Sequence, residues 1–174
     1  MSTTKNVFGT ELKEKLLAGI EKLNETVSST LGPGGRTVLI REQNGEVKVT
    51  KDGVSCAKAF HKLEDDIEDI GANLVKQVAI KSANEAGDGT TTSTLLATEL
   101  VKQGIKEIRG GRNAVAIKRE LDKLTADVIE DIKKVAIPVN SEDQIKQVAT
   151  ISGNNDEEVG NLIATAIEKV GREG

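Results

Sequence analysis

The pattern that most constrains this chain is helical periodicity cut at intervals by glycine. Leu12, Leu16, Ile20, Leu23 and Val27 recur three or four residues apart, so they share one face of a helix. Thr10 is the expected N-cap, and Glu11 falls in the first turn, where its charge suits the helix dipole. Lys13 stands where a capping box carries Glu or Gln, so the start lacks that second signal. The helix cannot run through Gly32-Pro33-Gly34-Gly35 and must end near Leu31.

The same logic parses the rest. Two short β-rich runs, residues 37–40 and 47–50, flank Asn44-Gly45, which is hairpin turn chemistry. Helix returns after Lys51-Asp52-Gly53, and residues 63–86 carry a stripe at Ile67, Ile70, Leu74, Val78 and Ala79 behind an acidic first turn. Gly87-Asp88-Gly89 stops it. A further helix runs from Thr90-Thr91-Thr92 to about Ile108, and Asn113 caps a fourth long one that reaches Val135, before Pro138. Ser141 and Gln144 form a capping-box pair for a short helix to Ile151, and residues 156–170 are again amphipathic. An N-terminal edge strand is expected around residues 5–8. The predicted fold is mainly α with a small β-hairpin, its four long helices packing their aliphatic stripes together.

Composition decides what such a core contains and which partners are excluded. With two Phe, no Tyr and no Trp, the core must be built from aliphatic residues and Ala. A net charge of −4 argues against a nucleic-acid footprint and against attachment to anionic lipid. No apolar run approaches a membrane span, and charges interrupt the first 24 residues where a signal peptide needs an apolar core, so a cytoplasmic protein is expected. Cys56 is the only cysteine, which leaves no disulfide framework and no thiolate cluster; on an apolar helix face it reads as a small buried hydrophobe. His61 reads as part of a solvated helix end. The acids at Glu64, Asp65, Asp66, Glu68 and Asp69 read as a match to a helix dipole rather than as a metal site.

Chemistry concentrates in three glycine-containing loops, residues 30–35, 51–53 and 87–92. Glycines let backbone N–H groups approach phosphate oxygens, and a following helix N-terminus adds a positive dipole. Threonine hydroxyls add donors, Asp88 offers a carboxylate to Mg²⁺, and Asp52 could orient or deprotonate an attacking water. There is no Gly-x-x-x-x-Gly-Lys-Ser/Thr pattern, so a phosphate site here is of another type. Taken singly, such loops are more often turns and caps.

Taken together they are recognisable. Leu31-Gly32-Pro33-x-Gly35-Arg36, Thr50-Lys51-Asp52-Gly53-Val54-Ser55, Ala86-Gly87-Asp88-Gly89-Thr90-Thr91-Thr92 and Thr150-Ile151-Ser152 closely resemble, in order and spacing, the N-terminal part of a group I, GroEL-like chaperonin. The resemblance covers essentially the whole chain. It implies an ATP-binding helical bundle: residues 1–136 as the first half of an equatorial domain and 137–174 as the start of an intermediate domain. It places Thr30, Leu31, Gly32 and Pro33 around ATP and its phosphates, with Thr30 and Lys51 backbone carbonyls near K⁺. Asp88 matches the Mg²⁺ ligand, Gly89, Thr90, Thr91 and Thr92 the phosphate cradle, and Asp52 one of two catalytic acids. Ile151 and Ser152 match a segment approaching the nucleotide from the intermediate side.

Departures accompany the match. Gly34 stands where the family usually has Lys, and residues 57–63 look one residue longer than the common pattern, an excess expected to be absorbed at the helix start. Nothing resembles the apical domain through which the family grips client proteins and co-chaperonin, nor the later glycine-rich segment and the second catalytic acid. The chain therefore reads as an N-terminal portion or as a naturally short relative. The resemblance implies an ATP-dependent subunit that assists protein folding in a ring of chaperonin subunits. With half a site, this chain alone is expected to turn over ATP negligibly. A non-catalytic module that docks on chaperonin subunits is the alternative.

Overall fold

The computed structural model describes residues 7–41, 45–153 and 155–171. Its elements run α1 (Gly9–Ser28), β1 (Val38–Arg41), β2 (Val47–Thr50), α2 (Gly53–Ala59), α3 (Asp66–Ala86), α4 (Thr90–Arg109), α5 (Ala114–Val135), α6 (Glu142–Ser152) and α7 (Glu157–Val170). The expected fold class holds: among the described residues, helices with one antiparallel hairpin, in which Val38 pairs with Thr50 and Arg41 with Val47. The chain divides into two compact units, Met1–Ile117 and Lys118–Gly174.

In the first unit α1 packs on α3, and both meet α4. The predicted stripe supplies the core: Ile20, Leu23 and Val27 of α1 lie against Cys56 and Ala57 of α2 and Ala72, Val75 and Ala79 of α3. Val38, Ile40, Phe60 and Leu63 pack on its edge. Leu23 and Val27 are fully buried, each worth about 1.5–3 kcal/mol of apolar burial. Small residues set the spacing. A Cβ on Gly19 would strike the backbone of Glu68, and one on Gly71 would strike the backbone of Leu16, so the α1–α3 seam is closed by two glycines facing main chain. On α4, Thr94 and Thr98 are buried, and each returns its hydroxyl to the carbonyl four residues back.

Several expectations need correction. α1 starts at Gly9, which turns the chain with φ 70°; Phe8 takes the cap position without a side-chain bond, so Thr10 lies inside the helix. Of the expected edge strand, Lys5 and Asn6 fall outside the described residues, as does Asn44 of the hairpin turn, and Val7 and Phe8 form no strand. The helical stretch after Gly53 is two helices. Asp65 accepts from the N–H groups of Ile67 and Glu68, so α3 begins at Asp66 rather than Leu63. Of the four long helices, α1, α3 and α4 pack together within the first unit; α5, most of which belongs to the second unit, has no buried residue, and Leu124, Val128, Ile132 and Val135 along its apolar stripe are exposed.

The second unit contains the α6–α7 pair. Ser141 and Gln144 form the capping box in full, and Asp156 caps α7. Asn155 makes the turn between them at φ 64°, a left-handed conformation that Asn tolerates better than most residues. Gly160 lets α7 approach Thr150 of α6, and Ala149 and Ala164 are buried with it.

Candidate functional site

The second glycine loop is built around a cap. Asp52 stands at the N-terminus of α2, and its carboxylate accepts from the N–H groups of Val54 at 3.3 Å and Ser55 at 2.8 Å. Its own N–H donates to Thr50 Oγ1 at 3.0 Å, which fixes the turn out of β2. Burial pushes the Asp52 carboxyl up, but hydrogen bonds from Ser55 and Val54 and the charge of Lys48 outweigh it. The net position is below the ordinary carboxylate range. Asp52 is therefore an ionised group, better suited to orienting a water than to taking its proton. Lys51 beside it is exposed.

The first loop leaves α1 through Thr30, which is buried and whose hydroxyl donates to Val27 O at 2.7 Å. A tight turn follows: Gly35 N donates to Gly32 O at 2.9 Å, and Arg36 N to Ser29 O at 2.7 Å. Gly32 takes φ 68°, and a Cβ on Gly35 would strike the Thr30 carbonyl. Leu31, Gly32 and Pro33 are exposed on this turn.

The third loop is the most open. Gly87 ends α3 in the left-handed conformation, and Gly89 repeats it at φ 78° before α4. Between them Asp88 is exposed. One carboxylate oxygen accepts from Gly89 N at 2.6 Å, and its carbonyl accepts from Ser82 Oγ at 3.2 Å. α4 has no side-chain cap and no acid in its first turn. Its first N–H groups thus lack an intrahelical or capping partner and sit at the positive end of the dipole. Helical spacing spreads the three threonines: Thr90 is buried, Thr91 half-buried and Thr92 exposed.

These loops meet inside the first unit. Thr30 Oγ1 lies 3.4 Å from Thr91 Oγ1, and Gly53 packs so close to Thr91 that a Cβ there would overlap its hydroxyl. Thr30, the Asp52-Gly53 turn and the start of α4 therefore form one junction, with Asp88 in the turn that leads into it. Ile151 and Ser152 lie on the last turn of α6, both exposed, in the second unit. Two contributors were not singled out from sequence: Ser82, which carries no motif, and Gly53 as a contact rather than a loop residue. The signal for Gly53 was a glycine at the first helical position, where conformation does not require one.

The arrangement suits an anion with its cation. Free N–H donors, threonine hydroxyls and a helix dipole fit phosphate oxygens, and a single exposed carboxylate fits Mg²⁺, which takes one or two carboxylates and completes its shell from phosphates and water. The residues present match that donor set. A separate cavity of about 430 Å³ lies at the other end of α2, bounded by Val38, Ile40, Ala59, Phe60 and Leu63, and shares no residue with the three loops.

Comparison with known proteins gives a consistent answer. The sequence model of the TCP-1/cpn60 chaperonin family matches residues 23–173. The chaperonin gp146 from the bacteriophage EL 2 (Pseudomonas aeruginosa), solved in the presence of ATP-BeFx, aligns at a TM-score of 0.79 with 27% identity, over 97% of this chain and 30% of that one. A group III chaperonin in the open state aligns at 0.76 with 28% identity, over 94% of this chain and 32% of that one. The chain spans about a third of the length of these structures.

Proposed function

Because the chain belongs to the TCP-1/cpn60 chaperonin family, we propose that it supplies the nucleotide-binding part of an ATP-dependent chaperonin subunit. One observation supports this most: the uncapped start of α4 meets Thr30 and the Asp52-Gly53 turn. In this reading Gly89, Thr90, Thr91 and Thr92 cradle the phosphates, and Leu31, Gly32 and Pro33 border the nucleotide. Asp88 holds Mg²⁺ through the carboxylate oxygen not engaged by Gly89. The metal supplies charge compensation for the triphosphate. Asp52, kept ionised by its cap bonds, orients the attacking water, and the carbonyls of Thr30 and Lys51 hold K⁺. Ile151 and Ser152 approach from an intermediate segment beginning at 137, the preceding residues being equatorial. The group I assignment rests on the four motifs, since the family match spans chaperonins as a class. Ring assembly with other subunits, contact with client proteins and co-chaperonin, and a cytoplasmic place complete the proposal. Among the described residues, no helix is long and apolar enough to cross a membrane.

The test is Asp88→Ala. Mg-ATP affinity is expected to fall about tenfold or more, while affinity for ATP in chelator falls little, because the lost group acts through the metal. Equal loss in both conditions, or none in either, removes Asp88 from the site.

A further inference from the structure

Gly53 is held to its identity by space, not by backbone conformation. It is absent from the positive-φ glycines, Gly9, Gly32, Gly45, Gly87, Gly89, Gly111 and Gly171. A Cβ at 53 would overlap Thr91 Oγ1 and stand 3.5 Å from Thr91 Cβ and from Val27 Cγ1. The last two are ordinary contacts, so the hydroxyl is the whole obstacle. That hydroxyl is already committed. Thr30 has one hydroxyl hydrogen, which goes to Val27 O at 2.7 Å, so the 3.4 Å contact between the two threonines uses the hydrogen of Thr91.

We propose that Gly53 is a positioning residue of the nucleotide site. Lacking a Cβ, it lets the start of α2 seat against Thr91, which keeps that hydroxyl on Thr30 and holds the first turn of α4 where phosphate is received. The proposal rests on the nucleotide-binding reading of the same junction. Its content beyond that reading is a coupling: the turn that carries Asp52 and the turn that receives phosphate move as one body because Gly53 touches Thr91. A ligand that draws the Thr91 hydrogen to itself frees Thr30 from α4 and so reaches the 30–35 loop through the same atom.

A double-mutant cycle in the 174-residue chain tests it, with Mg-ATP affinity measured on protein whose helix content matches wild type. Gly53→Ala is expected to weaken Mg-ATP roughly tenfold, because the new methyl displaces Thr91 and the turn behind it. Thr91→Ala alone is expected to weaken it only several-fold, the scale of one lost hydrogen bond. The double variant should bind no more weakly than Thr91→Ala, since the obstacle is gone. A glycine needed only for packing would not produce that rescue of affinity. Wild-type affinity in Gly53→Ala, or losses that multiply in the double variant, overturns the proposal and leaves the nucleotide reading standing. Absence of Mg-ATP binding by the wild-type chain overturns both. If Gly53→Ala does not fold, folding of the double variant with the affinity of Thr91→Ala supports the contact, and its failure to fold overturns it.

Discussion

Two consecutive helices of the first unit begin in opposite ways. α3 opens on Asp65, whose carboxylate takes two N–H groups, and Asp66, Glu68 and Asp69 fill its first turn. Lys15 and Lys22 of α1 then pair with Asp65 and Glu68. α4 opens on a left-handed glycine with no cap and no acid. Both ends carry the same partial positive charge and the same orphan donors. One has its anions covalently attached and is finished as a structural element. The other leaves its first N–H groups without a side-chain partner, and these are the donors that the proposed phosphate would take. The sites of a helical protein that are left incomplete in this way are where ligand chemistry can enter.

The sharpest way to break the contrast is to give α4 what α3 has. Thr92 is exposed at the third helical position, so Thr92→Asp places a carboxylate on the open end without disturbing the core. The dipole should favour it by about 0.3–1 kcal/mol, leaving the thermal midpoint level or raised. Mg-ATP affinity should fall by about tenfold or more, since a fixed charge now repels the phosphate at close range. Titration calorimetry beside thermal melting reads both. A stabilised variant that still binds like wild type would mean that phosphate does not sit at this helix end.

The converse test removes charge from α3. The side-chain bond from Lys15 is the largest influence on Asp65 and, with N–H bonds from Ile67 and Glu68 outweighing the cost of burial, holds its carboxyl down at about 2. An unfolded Asp titrates near 4. A depressed value means stability fully present above about pH 4 and lost as pH falls toward 2, because the unfolded chain takes up the proton first. Asp65→Asn keeps a capping side chain but cannot titrate. The variant should melt below wild type at neutral pH, and the gap should close between pH 4 and 2. Parallel curves down to pH 2 would assign the pair no role in acid stability.

How much of this was readable beforehand follows from the range of each interaction. The Ser141–Gln144 box and the Asn113 cap depend on residues three apart, and both stand as read. Thr10 misled because a glycine with positive φ started the helix earlier. The break between α2 and α3 was hidden because Asp65 is one acid among five, and only its geometry separates a cap from a first turn. Gly19 and Gly71 carry no local signal at all: their meaning is a crossing of helices some fifty residues apart. The site divides along the same line. The open glycine–threonine turn, on which the proposed phosphate site rests, stands in the motif itself, and the cap by Asp52 depends only on residues two and three ahead of it, whereas the contact between Gly53 and Thr91 exists only once the loops have met.

The smallest effect concerns a positive charge missing from the turn that follows α1. Gly34 stands where the resemblance leads one to expect Lys, in the exposed turn that follows Thr30. A Cβ there meets nothing within 4 Å, and its φ is not positive, so a side chain is accommodated without strain. Gly34→Lys should be neutral or slightly stabilising, by up to about 0.4–1 kcal/mol, because the unfolded chain loses freedom. If the 30–35 turn borders the phosphates, one added cation on a flexible, solvated stem should tighten Mg-ATP by roughly two- to fivefold at low salt. Screening should shrink that gain as ionic strength passes physiological values, where charges more than about 8 Å apart stop sensing each other. The salt dependence is the discriminating measurement. A gain that ignores salt would arise from backbone stiffening of the turn, and no gain at low salt would place the turn away from the bound phosphates.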